Sequence, residues 1–216
     1  MGLGRRDETS HLDIGLATPW QSRIPSSLPT QSLPACSREA QEDDTQVNEE
    51  LNVQEIIARL GLTSHPEGGY YAETFRSKEI VTLSDGRLRS ASTAIHFLLP
   101  AGSFSALHRV AADEVWHHYG GSPLELVTIS PDGHLDKILL GRDLLSGQHP
   151  QHVVPSGWWQ GARPLDRGAT LTGCTVAPGF DFQDFEMPSR SVLLDLFPQH
   201  APVILEFTYP RETVIL

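Results

Sequence analysis

Positive charge is scarce in this chain. Lysine occurs only at Lys78 and Lys137, and 16 basic residues stand against 27 acidic ones, a formal net charge of −11 over 216 residues. Phosphate backbones are held by clustered lysines and arginines, so nucleic acid is excluded as a partner. Anionic membrane surfaces are disfavoured for the same reason. Long apolar runs are also missing: no stretch of about 18 such residues occurs, so no spanning helix and no membrane partner is expected. Cysteine appears twice, as Cys36 and Cys174, too few for a disulfide scaffold or a zinc cluster. The first residues lack the apolar stretch of about 7–15 residues that a secretory signal requires, which makes the cytoplasm the expected location.

Acid and histidine are what the chain has in quantity. Residues 1–50 hold nine acids and four arginines, with scattered Ser and Pro and one aromatic, Trp20. That composition cannot bury enough apolar surface to offset its ordering entropy, so 1–50 reads as an acidic, disordered tail. Residues 51–216 read as a single domain. Val53, Ile56, Ile57 and Leu60 recur at helical spacing, with Asn52 placed to cap and Gly61 to stop the helix. Short β-rich runs follow, at residues 70–75, 93–99, 114–119, 124–130, 135–140, 169–176 and 203–208. Turn residues separate them at intervals of about 8–12, the pattern of an antiparallel sandwich or barrel. Ser130-Pro131-Asp132-Gly133 has the chemistry of one such turn.

The stretch from Gly102 to Gly121 resembles the first signature of the cupin superfamily. Gly102, His108, Glu114 and Gly121 occupy its positions, and Val110 stands where a second histidine belongs. Pro155, Gly157 and Gln160 resemble the second signature, with Gln160 in place of the last metal-binding histidine. Three further motifs sharpen the resemblance to one family of RmlC-like cupins without an assigned reaction: HPEGGY at His65 to Tyr70, HRVxxDExW at His108 to Trp116, and VxPGFxFxxF at Val176 to Phe185. The resemblance implies an all-β fold, a double-stranded β-helix or cupin jelly roll with one N-terminal helix, commonly a homodimer. Catalytic cupins hold a divalent ion with three histidines and a glutamate. Two of those four positions are replaced here, so no metal and no cofactor is expected.

His108 and Glu114 are the expected catalytic pair, placed by the cupin frame inside the barrel. An imidazole beside a carboxylate relays protons near neutral pH. The competing reading is a buried polar pair that satisfies only itself. Strand alternation extends the inward face to Trp116 and His118, with Val115, His117 and Tyr119 pointing away. Tyr70, Glu73 and Arg76 on an early strand, Gln160, and Trp158 complete the expected ligand-binding set. Arg76 suits a carboxylate or phosphate, though a solvated salt bridge is the commoner role of a single arginine. His96 reads as a core histidine, and Asp181 and Asp184 as turn residues. The pattern supports a small-molecule enzyme of epimerase, isomerase or lyase type, acting on a sugar-like or carbonyl-containing metabolite. The alternative is a non-catalytic binding or sensing cupin.

Overall fold

A computed structural model of the chain describes residues 52–210, so the expected tail at 1–50 lies outside the described residues. Helix α1 (Val53–Leu60) begins at Asn52, whose side chain accepts the Glu55 amide at 3.2 Å. It ends at Gly61, in the left-handed region with φ of 63°. Its apolar face, with Val53, Ile56, Ile57 and Leu60, packs on Leu62, Leu98 and Ala169.

Thirteen strands follow among the described residues: β1 (Thr63–Ser64), β2 (Tyr70–Arg76), β3 (Ile80–Thr82), β4 (Leu88–Ser90), β5 (Thr93–Leu99), β6 (Ser105–Val110), β7 (Asp113–Gly121), β8 (Leu124–Ile129), β9 (Leu135–Leu140), β10 (Gln151–Val154), β11 (Trp159–Pro164), β12 (Thr170–Ala177) and β13 (Phe185–Glu186). The named strand pairs are all antiparallel. A large sheet runs β1-β2-β5-β12-β7-β10, a smaller one runs β13-β6-β11-β8-β9, and β3 and β4 form a separate hairpin. The turn from β8 to β9 is the one at Ser130, where Gly133 bonds back to the Ser130 carbonyl with φ of 87°.

The sheets face each other across a core to which both contribute. Phe97, Trp116 and Cys174 come from the large sheet and Leu124, Leu126 and Ala162 from the small one. The other face of the small sheet is covered by α2 (Arg190–Leu196) and α3 (Ala201–Glu206), through Leu107, Val127, Ile129, Trp159, Leu193, Phe197, Ile204 and Phe207. The fold is the expected jelly roll, with two C-terminal helices in addition to the expected first one.

One of these helices corrects an expectation. Residues 203–208 read as a strand from their β-rich composition, yet 201–206 are helical. Pro202 sits in the first turn, where its missing amide costs nothing. Val203, Ile204 and Phe207 then share a helical face turned onto the small sheet. Packing has overridden propensity there.

In the loop between β1 and β2 two glycines are pressed against neighbouring backbone. Gly68 has φ of 114°, and a Cβ there would overlap the Phe104 carbonyl oxygen. Gly69 has φ of 68° with the Leu98 oxygen 2.7 Å from a Cβ position. Gly68→Ala should therefore lower stability by about 1–3 kcal/mol in thermal or denaturant unfolding. Gly61→Ala, also at positive φ but with open space around it, should cost less.

Candidate active site

The middle of the barrel is filled, because Trp116 stands edge-on to Phe97 at 5.8 Å within the shared core. On one side of this filled centre lies a cavity of about 310 Å³. Its walls come from β2, β5, β6, β7 and β12, from the β1–β2 loop, and from the segment 178–185. That volume lies at the low end of the range typical of small-molecule sites.

At its buried floor, Glu67 stands between two histidines. One carboxylate oxygen lies 3.3 Å from His65 Nδ1 and 3.4 Å from His108 Nε2, and the other accepts the Ser105 hydroxyl at 2.8 Å. The Glu67 carbonyl accepts the Ala106 amide at 2.8 Å and the Tyr209 hydroxyl at 3.3 Å, which ties the loop to β6 and to the C-terminal segment. His108 Nδ1 lies 2.8 Å from the Ala106 carbonyl, which can only accept, so Nδ1 carries a proton. A second proton on that ring would lie on the line to Glu67. Burial alone would push the Glu67 carboxyl up. The charges of His108 and His65 and the hydrogen bonds from His65 and Ser105 outweigh it and hold the group below the usual glutamate value.

Glu114, on β7, lines the same cavity and moves the other way. Burial pushes its carboxyl up, His108 opposes that shift, and the negative charge of Glu67 adds to it. Gln160 Nε2 donates to one Glu114 oxygen at 2.5 Å, while Gln160 Oε1 accepts the Trp116 indole N–H at 2.8 Å. An indole nitrogen only donates, so the orientation of the Gln160 amide is fixed by Trp116. Cys174 lies beside Glu114, and burial pushes its thiol well up, so it stays protonated.

The segment 178–185 closes the cavity from outside. The Phe180 amide donates to Thr93 Oγ1 at 2.9 Å, and the Gly179 amide to the Ser90 carbonyl at 2.7 Å. Asp184 accepts from Arg89 Nε at 2.7 Å and pairs with Arg87, tying the segment to the β3–β4 hairpin. Phe180, Phe182 and Phe185 form an aromatic rim with centroids 5.1–6.2 Å apart. Phe185 stacks on His108 at 5.3 Å, and Tyr71 meets His65 edge-on at 4.6 Å.

Of the nine residues expected from the sequence, His108, Glu114, Glu73 and Arg76 line the cavity. The other five do not, and each has a physical reason. Alternation does turn Glu114, Trp116 and His118 to the same buried side. Trp116, however, is core and acts by orienting Gln160, itself wholly buried behind Glu114. His118 lies beyond that plug, with Nε2 at 3.0 Å from the Ser122 carbonyl. Tyr70 packs with the α1 cluster, and Trp158 against the central core. Trp159 lies in the layer under the C-terminal helices with Arg109 stacked over it at 4.5 Å. Arg76 makes a bidentate bond to Glu73, at 2.9 and 2.6 Å, the salt-bridge role named above as the commoner one for a single arginine. His96 is half-buried rather than core, with its ring edge-on to the exposed Tyr119 at 6.1 Å.

His65, Glu67 and the three phenylalanines were in view in the HPEGGY and VxPGFxFxxF motifs but carried no expected role. Spacing could not bring them to His108, which is 41 residues beyond Glu67 in the chain.

The cupin metal fits this donor set poorly. Val110 offers no donor, and the Gln160 oxygen is taken up by Trp116. Among the described residues no group of three or more His, Cys, Asp or Glu side chains is arranged to hold a metal ion.

Comparison with known proteins is consistent with this architecture. Residues 54–188 match the model of a family described as "Cupin superfamily (DUF985)". An uncharacterized protein of Saccharomyces cerevisiae, YML079W, is 29% identical over 148 residues, which cover 62% of this chain and 73% of that protein. Among solved structures, protein SO0799 from Shewanella oneidensis is 39% identical with a TM-score of 0.70, covering 74% of this chain and 99% of its own. A hypothetical protein from Leishmania major is 37% identical with a TM-score of 0.68, covering 72% and 98%. With more than half of its length matched by that family, and the jelly roll and motifs already in place, the chain belongs to the DUF985 family of the cupin superfamily.

Proposed function

We propose that the cavity carries out acid–base chemistry on a carbonyl-containing metabolite, of the isomerase or epimerase kind, without a metal. The observation that carries this reading is Glu67, a buried carboxylate held between His65 and His108 at the cavity floor. The Glu67–His108 pair is the base: it takes a proton from the carbon beside the carbonyl, and Glu67 stabilises the imidazolium that results. The C–H electron pair forms a carbon–carbon double bond, and the carbonyl π electrons move to oxygen. Glu114 is the acid, since burial favours its neutral form, and its proton passes to that oxygen. Two carboxyls with oppositely displaced titration divide the roles of base and acid. In isomerisation the imidazolium gives its proton to the former carbonyl carbon while the adjacent hydroxyl returns one to Glu114. In epimerisation carbon is reprotonated on the opposite face from solvent, the enol proton returns to Glu114 and the imidazolium proton is released to solvent. Either route restores both groups and closes the cycle.

The same reading keeps residues 51–216 as one cupin domain acting as a homodimer, which the exposed apolar residues Phe75, Tyr119 and Val153 favour.

Solvent exchange tests the chemistry without a known substrate. A panel of hydroxy- and amino-carbonyl compounds in D2O, followed by NMR, should show enzyme-dependent loss of the C–H signal for at least one compound. His108→Ala and Glu67→Gln should each slow that exchange by about 10²–10⁴-fold. A compound that binds in the cavity and is never exchanged or transformed would sink the catalytic reading and leave a binding or sensing cupin.

A further inference from the structure

The charge and surface of the cavity specify more than its floor. Four carboxyl side chains line it, Glu67, Glu73, Glu114 and Asp181, with burial favouring the neutral form of Glu114; beside the titratable His65 and His108, the one permanent cation among the described residues is Arg76. That cation is already engaged at every nitrogen. Nε and Nη2 bind the two Glu73 oxygens at 2.9 and 2.6 Å, and Nη1 binds the Phe180 carbonyl at 3.1 Å. An incoming phosphate or carboxylate would have to break this arrangement to find a partner. Asp181 accepts the Gln183 amide at 2.9 Å and makes no direct ion pair among the described residues, its charge acting on Arg76 and Arg89 only at longer range. It belongs to the same segment as the aromatic rim, and Phe182 in that rim is half exposed. Aromatic faces beside carboxylates favour a cation and offer nothing to an anion.

Resting on the proposed reading of this cavity, we infer that its ligand is a protonated amine with a flat apolar portion, rather than a phosphorylated, nucleotide-linked or carboxylate compound. The ammonium sits at the mouth against Asp181, Glu73 and the faces of Phe180 and Phe182. The remainder of the molecule reaches inward to His108 and Glu114. Glu73 acts as a specificity residue by keeping Arg76 occupied. An amine placed this way also increases the acidity of the neighbouring C–H bonds, which suits proton abstraction at the floor.

Three probes of nearly equal size separate charge from shape: benzylamine, benzyl alcohol and benzoate, titrated calorimetrically into the full chain at neutral pH. Benzylamine should bind at least about tenfold more tightly than benzyl alcohol, and benzoate more weakly than either. Asp181→Asn, which preserves the local amide bond, should weaken benzylamine by about tenfold and leave benzyl alcohol unchanged. Glu73→Gln should release Arg76, so benzoate gains affinity while benzylamine loses it. Unaltered benzyl alcohol binding in both variants reports an intact cavity. Benzoate binding as tightly as benzylamine in the unaltered protein overturns the inference, as does failure of all three probes to bind. An unchanged order of affinities in Glu73→Gln overturns it as well. These titrations involve no turnover, so they fail or succeed independently of the deuterium-exchange result.

Discussion

Trp116→Ala is expected to lower the free energy of unfolding by about 3–5 kcal/mol in a urea or guanidinium titration. The side chain is 1% exposed and spans the central core between the two sheets, so its removal leaves a void that the strands are too constrained to close. Trp116→Phe should cost much less, because most of the volume remains and only the indole hydrogen bond to Gln160 is lost, worth roughly 1 kcal/mol. The two substitutions should still share a consequence for chemistry. Without the indole donor the Gln160 amide is free to turn over, placing its oxygen against Glu114 in place of the N–H. Turnover or exchange rates should therefore fall in Trp116→Phe by more than its small stability loss explains. A tryptophan that served only as packing would leave those rates unchanged.

The second large effect concerns the two carboxyls, which should respond to pH in opposite senses. The folded-state titration of Glu67 lies below the usual glutamate value of 4.5. Its contribution is thus fully present above that value and is lost as pH falls through the lower, folded-state one. Glu67→Ala leaves the Ser105 hydroxyl and the buried His65 and His108 without their shared acceptor, and the expected cost is on the order of 1–3 kcal/mol at neutral pH, shrinking as pH falls through the carboxylate range. Glu114 titrates above 4.5 in the fold, since burial disfavours its charge. Between 4.5 and that higher value the native state holds a proton that the unfolded chain has released, so stability declines as pH rises. Glu114→Gln should accordingly match the unaltered protein below pH 4.5 and exceed it above, while losing the acid that the proposed reaction needs. Unfolding curves for both variants across pH 4–8 check the signs directly. Parallel pH profiles for the two would remove the division of roles between base and acid.

Much of the scaffold was legible because it follows from local rules. The first helix announces itself through an Asn cap, a Gly stop and apolar spacing, and its bounds fall where those residues stand. Strand alternation along residues 114–118 gave the correct buried side for Glu114, Trp116 and His118. What alternation could not convey is depth along the barrel. All three point inward, but Trp116 fills the middle, so Glu114 meets the cavity and His118 does not. The helix over 201–206 was hidden for a related reason. Apolar residues buried by packing onto a sheet look alike in composition whether their backbone is extended or helical.

The sequence by itself determined the family, the jelly roll, the two lost metal positions and the presence of His108 and Glu114 on inward faces. These are fixed by residue identity and short spacing, which survive without knowledge of the fold. Only the tertiary structure decided that the partner of His108 is Glu67, that Arg76 is held by Glu73, and that three phenylalanines cover the entrance. Those neighbours come from loops whose course is set by closure of the two sheets, and contacts across such distances leave no periodic trace in the chain. The shortage of positive charge noted in the sequence acquires a local meaning at the same point. Among the described residues the cavity has a single permanent cation, and the fold has already given it a carboxylate.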